Sequence, residues 1–190
     1  ARISSSTFDI GNAGNINIDV REGVFLQGNN DILTTIRSNV ENFGNGEGGN
    51  ITIKAANLSL LNVADIQTTV ARESSNGNPA GIGNAGNVQI NVSGDIILNE
   101  GSQITSQTSG LGNAGSVTIS GINGDLPDIS FDGTGVFRGD TFTSSIFTTV
   151  GSVTPEPTEP RIGGDINITA QSLELTNGAR LNSSTFGIGN

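Results

Sequence analysis

The chain repeats one short pattern, a glycine-rich turn followed by two aliphatic residues two positions apart. Alternate residues of a strand point to the same face, so each aliphatic pair predicts a strand with one buried face. A pattern that recurs along a chain predicts units that stack on one another. The pattern occurs as GNAGNINI at 11–18, GEGGNITI at 46–53, GNAGNVQI at 83–90, GNAGSVTI at 112–119 and RIGGDINI at 161–168.

A second aliphatic pair and then a third element follow each of these turns. The second pairs are Val24/Leu26, Leu58/Leu60, Ile96/Leu98, Ile129/Phe131 and Leu173/Leu175. The third elements begin at Ile32, Ile66, Ile104, Ile146 and Leu181, and Ile3 stands alone before the first repeat. The step from second pair to third element is eight residues in four of the five cases. This regularity predicts three short strands in every repeat.

These features predict an all-β fold, a right-handed parallel β-helix (β-solenoid) of about five triangular coils of three short strands. A meander of hairpins is the alternative, but it would not place equivalent residues of successive repeats side by side. The prediction is one segment, 1–190, with coils that begin near residues 15, 50, 87, 116 and 165. Corner insertions are expected at 71–86, 132–145 and 151–164.

The two ends of the chain have nearly the same sequence, ARISSSTFDIGN at 1–12 and ARLNSSTFGIGN at 179–190. Both match the third strand and the turn that follows it. We therefore expect the chain to be a fragment of a longer repeat protein, and an isolated segment to expose strand edges at both ends.

Two columns of polar residues are predicted to stack from coil to coil. The first is a ladder of inward hydroxyls that bond to one another, since a buried hydroxyl requires a partner. Its members are Ser5, Thr34, Thr68, Ser106, Thr148 and Ser183. The second is a column of turn asparagines, each bonded to its copy in the next coil. Its members are Asn12, Asn84, Asn113 and Asn190.

Composition restricts the partners and the chemistry. The net charge is −10, with 8 basic residues against 18 acidic ones, which disfavours binding to nucleic acid. No apolar run approaches the roughly 18 residues of a membrane helix, so membrane insertion is not expected. The chain has no Cys and no His, so thiol nucleophiles and imidazole bases are absent. We expect no cofactor.

The densest acidic group is Asp125, Asp128, Asp132 and Asp140, at the fourth coil. Carboxylates that converge on an outer groove would suit calcium binding or the hydrolysis of polysaccharides. The alternative function is therefore a carbohydrate-binding or polysaccharide-degrading β-helix with its site in 125–140. A solvated acidic loop is the simpler interpretation of the same residues.

Three segments of the chain resemble the repeat region of filamentous haemagglutinin-like exoproteins: GNAGNINI, QSLELTNGARLNSSTFGIGN and SIFTTV. The cyanobacterial versions, secreted by the two-partner route, are the most similar. The resemblance covers essentially the whole chain and implies a secreted right-handed β-helix that serves as a stalk, adhesin or matrix component. It implies no catalytic residues.

These observations favour a structural and adhesive rod segment of a secreted or cell-surface fibrous protein, and not an enzyme. The expected partner is a second copy, joined head to tail or laterally. Surface glycans are the other partner considered.

Overall fold

In a computed structural model, which describes residues 1–151 and 159–186, each glycine turn leads into a strand that pairs with its counterparts in the neighbouring coils. These strands form the first sheet, in the order β16-β11-β8-β5-β2, and every pairing is parallel. The strands are β2 (Ile16–Asp19), β5 (Ile51–Ala55), β8 (Val88–Val92), β11 (Val117–Ser120) and β16 (Ile166–Ile168).

The second aliphatic pairs form a second parallel sheet, in the order β17-β12-β9-β6-β3. Its strands are β3 (Gly23–Gln27), β6 (Asn57–Leu61), β9 (Asp95–Asn99), β12 (Asp128–Asp132) and β17 (Ser172–Thr176). The register joins aliphatic to aliphatic. Leu58 pairs with Ile96, and Ile129 pairs with Leu173.

A third parallel sheet has six strands, in the order β1-β4-β7-β10-β15-β18. They are β1 (Arg2–Ser4), β4 (Thr35–Arg37), β7 (Asp65–Val70), β10 (Gln103–Thr108), β15 (Ser145–Val150) and β18 (Arg180–Thr185). Three parallel sheets stacked coil by coil confirm the parallel β-helix of about five coils. Coil one is β2, β3 and β4, and coil five is β16, β17 and β18.

The inward side chains of the three sheets form one continuous aliphatic core. Ile53, Ile90 and Ile119 lie on top of one another in the first sheet, and each is fully buried. A smaller apolar cluster of Val40, Val70 and Ala85 fills the corner where the third sheet turns toward the first. The core therefore runs along the axis of the coils and not between two layers.

The third strand of coil one differs from its predicted register. Ile36, and not Ile32, pairs with Ile3 and Ile66 in the core column. Ile36 is 1% exposed and Ile32 is 59% exposed. The cause is a turn before the strand, in which Asn29 Oδ1 accepts from the backbone N–H groups of Asp31 and Ile32, at 2.9 and 2.7 Å. The strand therefore starts four residues later than the sequence spacing suggested.

The corners hold the insertions. Residues 71–80 form a loop after β7, and a two-stranded antiparallel hairpin, β13 (Thr134–Phe137) and β14 (Asp140–Thr143), separates β12 from β15. Of the predicted insertion 151–164, residues 152–158 lie outside the described residues. The described chain contains no helix long and apolar enough to pass through a membrane.

Candidate functional site

The inward hydroxyls of the third sheet bond across the coil to the glycine turns of the first sheet. Thr68 Oγ1 and Ser106 Oγ, on adjacent coils, both donate to the carbonyl oxygen of Gly86, at 2.5 and 2.7 Å. The prediction that these hydroxyls bond to one another is wrong. The turn carbonyl is a buried acceptor that needs a donor, and the hydroxyls supply it.

The same arrangement recurs two coils further along the chain. Thr148 Oγ1 and Ser183 Oγ donate to the carbonyl oxygen of Gly164, at 2.6 and 2.7 Å. At the other end of the column, Ser5 Oγ accepts from the backbone N–H of Gly14 at 2.9 Å. The hydroxyl column thus joins the third sheet to the first through most of the helix.

Thr34 does not belong to this column, because of the register shift in coil one. Its hydroxyl donates to the carbonyl oxygen of Gln27, at 2.6 Å. Ser38 takes its place: its hydroxyl donates to the carbonyl oxygen of Gly14 at 2.9 Å and accepts from the N–H of Gly49 at 3.2 Å. The sequence signal for Ser38 is its position two residues after Ile36.

From the second coil onward, the last glycine of each turn is required by close stacking and not by its φ angle. A Cβ on Gly86 would overlap the carbonyl oxygen of Gly49, and one on Gly115 would overlap that of Gly86. The coils approach so closely here that any side chain would force neighbouring backbones apart. The pattern of glycines in the sequence follows from this contact.

The predicted turn column of asparagines bonds side chain to backbone. Asn12 Oδ1 accepts from the N–H of Glu47, and Asn84 Oδ1 accepts from the N–H of Asn113, both at 2.8 Å. Asn113 Oδ1 in turn accepts from the N–H of Ile162 at 2.8 Å. Asn190 lies outside the described residues.

A second column of the same kind was not predicted. Asn15, Asn50 and Asn87 each accept from the backbone N–H of the equivalent residue in the next coil at 2.8 Å, the last of these being Ser116. Each lies immediately before the first strand of its coil. That constant position is the signal that could have identified the column.

The predicted acidic group does not converge on one point. Asp125 lies in a turn that its backbone closes with Ile122, and Asp140 begins the second strand of the hairpin. Asp128 and Asp132 occupy opposite ends of β12, four residues or about 13 Å apart. Within residues 1–151 and 159–186, no three His, Cys, Asp or Glu side chains are arranged to hold a metal ion.

Two of these carboxylates already have partners. Asp132 Oδ1 accepts from Thr176 Oγ1 at 2.7 Å and from Asn177 Nδ2 at 2.6 Å. These two hydrogen bonds, that of Thr176 foremost, lower the pKa of Asp132 below its usual value. Asp128 Oδ1 accepts from Ser172 Oγ at 2.5 Å. Both carboxylates thus join coil four to coil five.

The hairpin β13–β14 runs along the corner between the second and third sheets. The backbone N–H of Arg138, at its tip, donates to the carbonyl oxygen of Asn30 in coil one, at 2.9 Å. Gln103 Nε2, in coil three, donates to the carbonyl oxygen of Thr143 at 3.3 Å. The hairpin is thus a strap from coil four to coil one, whereas the strand pairing within the three parallel sheets joins neighbouring coils.

Asp65, at the start of β7, is an acid with a raised pKa. Burial raises its pKa to about 7, and the guanidinium of Arg37 opposes that rise. Its Oδ1 atom is buried with no hydrogen-bond partner. The burial of this carboxylate depends on the surrounding coils, and the sequence analysis did not single it out.

Comparison of the chain with family models, with curated proteins and with solved structures gives no significant match.

Proposed function

We propose that this chain is a structural and adhesive rod segment of a secreted or cell-surface fibrous protein, of the kind that filamentous haemagglutinin-like repeats form. The observation that carries the proposal is the unbroken parallel register of all three sheets through every coil. A fold of this kind adds length by adding coils, at about 4.8 Å each, so five coils span about 24 Å.

The interior suits a segment that carries mechanical tension along its axis. Each coil is joined to the next by three strand pairings. The asparagine ladder beside the first sheet adds to them, and so does the hydrogen bond from Thr68 in coil two to Gly86 in coil three. Tension between neighbouring coils is therefore shared among many hydrogen bonds that must break together. The strap from Arg138 to Asn30 adds a connection across four coils.

The proposal includes self-association of the segment end to end. The terminal strands expose side chains of the core columns: Ile3 is 49% exposed and Leu181 is 36% exposed, whereas Ile66 and Ile104 in the same column are fully buried. The strand edges beside them carry backbone groups that a further strand can pair with. A second copy placed at either end would cover the exposed core side chains and the unpaired strand edge there.

Sedimentation velocity over a range of dilutions tests this association. We expect oligomers that dissociate on dilution and that Ile3→Lys abolishes, because a charge then enters the end contact. Ile82→Lys is the matched control: Ile82 is 45% exposed, at the corner where the third sheet turns toward the first, and is bridged on both sides to Asn45 and Leu111. If Ile82→Lys and not Ile3→Lys disperses the oligomers, the association is lateral. A monomer at every concentration rejects the proposal of self-association.

Surface location needs a separate test. Antibodies raised against the segment should label intact cells of the source organism, and protease added outside the cells should remove the label. Labelling only after lysis rejects the secreted or cell-surface role.

A further inference from the structure

The loop after β7 and the third strand of the next coil enclose an open cleft of about 460 Å³. That volume lies within the range of small-molecule sites, roughly 300–1,000 Å³. Loop residues form one wall, and the ends of β7 and β10 form the floor. The cleft is lined by Asn42, Thr69, Val70, Ala71, Arg72, Ser74, Ser75, Gln107 and Ser109.

The wall is held in place by hydrogen bonds from both sides. Asn42 Nδ2 donates to the carbonyl oxygens of Arg72 at 2.6 Å and Pro79 at 3.0 Å, and so pins the two limbs of the loop. Ser74 Oγ accepts from the N–H of Asn78 at 3.0 Å, which closes the loop tip. A ligand would therefore meet a preformed surface and pay little ordering entropy.

Several polar groups of the cleft have hydrogen-bonding capacity that the described chain does not satisfy. The guanidinium of Arg72 and the hydroxyls of Ser75 and Ser109 have no hydrogen-bond partner there. The amide oxygen of Gln107 accepts from Thr149 Oγ1 at 3.3 Å, so its amide nitrogen is left to donate. These groups supply donors and acceptors for a ligand that carries many hydroxyls.

The charged residue that lines the cleft is basic, although the chain as a whole is acidic. The net charge is −10, yet Arg72 is the one charged residue among the nine that line the cleft. Within the cleft, Arg72 is therefore the group with which an anionic substituent would pair. A guanidinium binds carboxylate or sulfate with two parallel hydrogen bonds.

We propose that this cleft binds an acidic saccharide, in which Arg72 pairs with a carboxylate or sulfate group. Gln107, Ser75 and Ser109 contact the sugar hydroxyls. The polar lining disfavours an apolar ligand, and a single guanidinium does not suit the many phosphates of a nucleic acid. The site goes beyond the rod function, since a rod that binds nothing here still forms and still associates.

Isothermal titration calorimetry tests the site with three probes: a trisaccharide of uronic acid, a sulfated disaccharide and an uncharged trisaccharide. We expect one acidic probe to bind at least tenfold more tightly than the uncharged one. Arg72→Gln should weaken that binding by tenfold or more, which is the loss expected for a charge-assisted hydrogen bond. Gln107→Ala should weaken it less.

Arg21→Gln is the matched control, because Arg21 is an exposed arginine at a different corner. It should leave the affinity unchanged, and thermal melts should show that all variants are folded. Preference for the sulfated or the uronic probe identifies the source of the negative charge. The proposal is rejected if neither acidic probe binds, if Arg21→Gln weakens binding equally, or if inorganic sulfate binds as tightly as the saccharide. Sedimentation is unaffected by any of these results, so the rod function is judged separately.

Discussion

Thr68 and Ser106 lie in adjacent coils, and their hydroxyls share one acceptor, the carbonyl oxygen of Gly86. They are the donors that this carbonyl has within the described chain. The stability of the interior therefore depends on pairs of hydroxyls and not on single ones.

Loss of both hydroxyls should cost more than the sum of the two single losses. Thr68→Val and Ser106→Ala should each cost about 1 kcal/mol, since Gly86 keeps one donor. The double variant leaves a buried carbonyl unpaired and should cost an additional 1–3 kcal/mol or so. Urea unfolding of the four proteins measures this coupling. Additive losses would show that the carbonyl finds another donor.

Gly86→Ala should destabilise the protein by about 3 kcal/mol or more, because the added Cβ meets the carbonyl oxygen of Gly49. Gly23→Ala is the control: the nearest atom to its Cβ would be the carbonyl oxygen of Asn57, at an ordinary 3.5 Å. It should change the free energy of unfolding by less than about 0.5 kcal/mol. Equal losses in the two variants would contradict the stacking argument.

The register of coil one predicts opposite results for two isoleucines. Ile36→Ala removes a buried side chain from the core and should cost about 2–5 kcal/mol. Ile32→Ala changes an exposed corner and should cost less than about 0.5 kcal/mol. Thermal melts distinguish the two cases, and the reverse order would restore the register expected from the sequence.

Asp65 should make the protein less stable as the pH rises from about 4 to 7. Its pKa is about 7 in the folded state and about 3.9 in the unfolded chain, so in this window the folded state binds more protons. Asp65→Asn should therefore be more stable than the natural chain at pH 8, by roughly 2–4 kcal/mol, and the difference should shrink toward pH 4. Urea unfolding at several pH values measures it. A constant difference would mean that Asp65 does not titrate in this window.

A chelator should leave the melting temperature unchanged, since Asp125, Asp128, Asp132 and Asp140 are not brought together. Differential scanning calorimetry with and without calcium checks this. A fall on chelation that calcium reverses would revive the alternative of an acidic site in 125–140.

The coil architecture could be predicted because it depends on local features. A glycine turn and two alternating aliphatic residues recur in every coil, and both are visible in the chain. The second ladder of asparagines was visible too, at one constant position before each first strand. Its role was missed because a polar residue at a turn has several ordinary explanations.

The remaining features depend on contacts between distant residues. Ile32 and Ile36 are both aliphatic, and the choice between them is made by the turn at Asn29, for which the letters NND are a weak signal. The hairpin was expected as an insertion, but its contact with Asn30 joins residues more than a hundred positions apart. The burial of Asp65 similarly arises only when the coils are assembled.

Both asparagine ladders have a chemical direction. In every rung the acceptor belongs to the earlier coil and the backbone donor to the later one. A chain that folds from its amino-terminal side would find these acceptors already positioned, so each finished coil is a template for the next. A chain that folds from the opposite side would instead meet free backbone N–H groups. The ladders therefore give each coil two chemically different faces, one with side-chain acceptors and one with backbone donors.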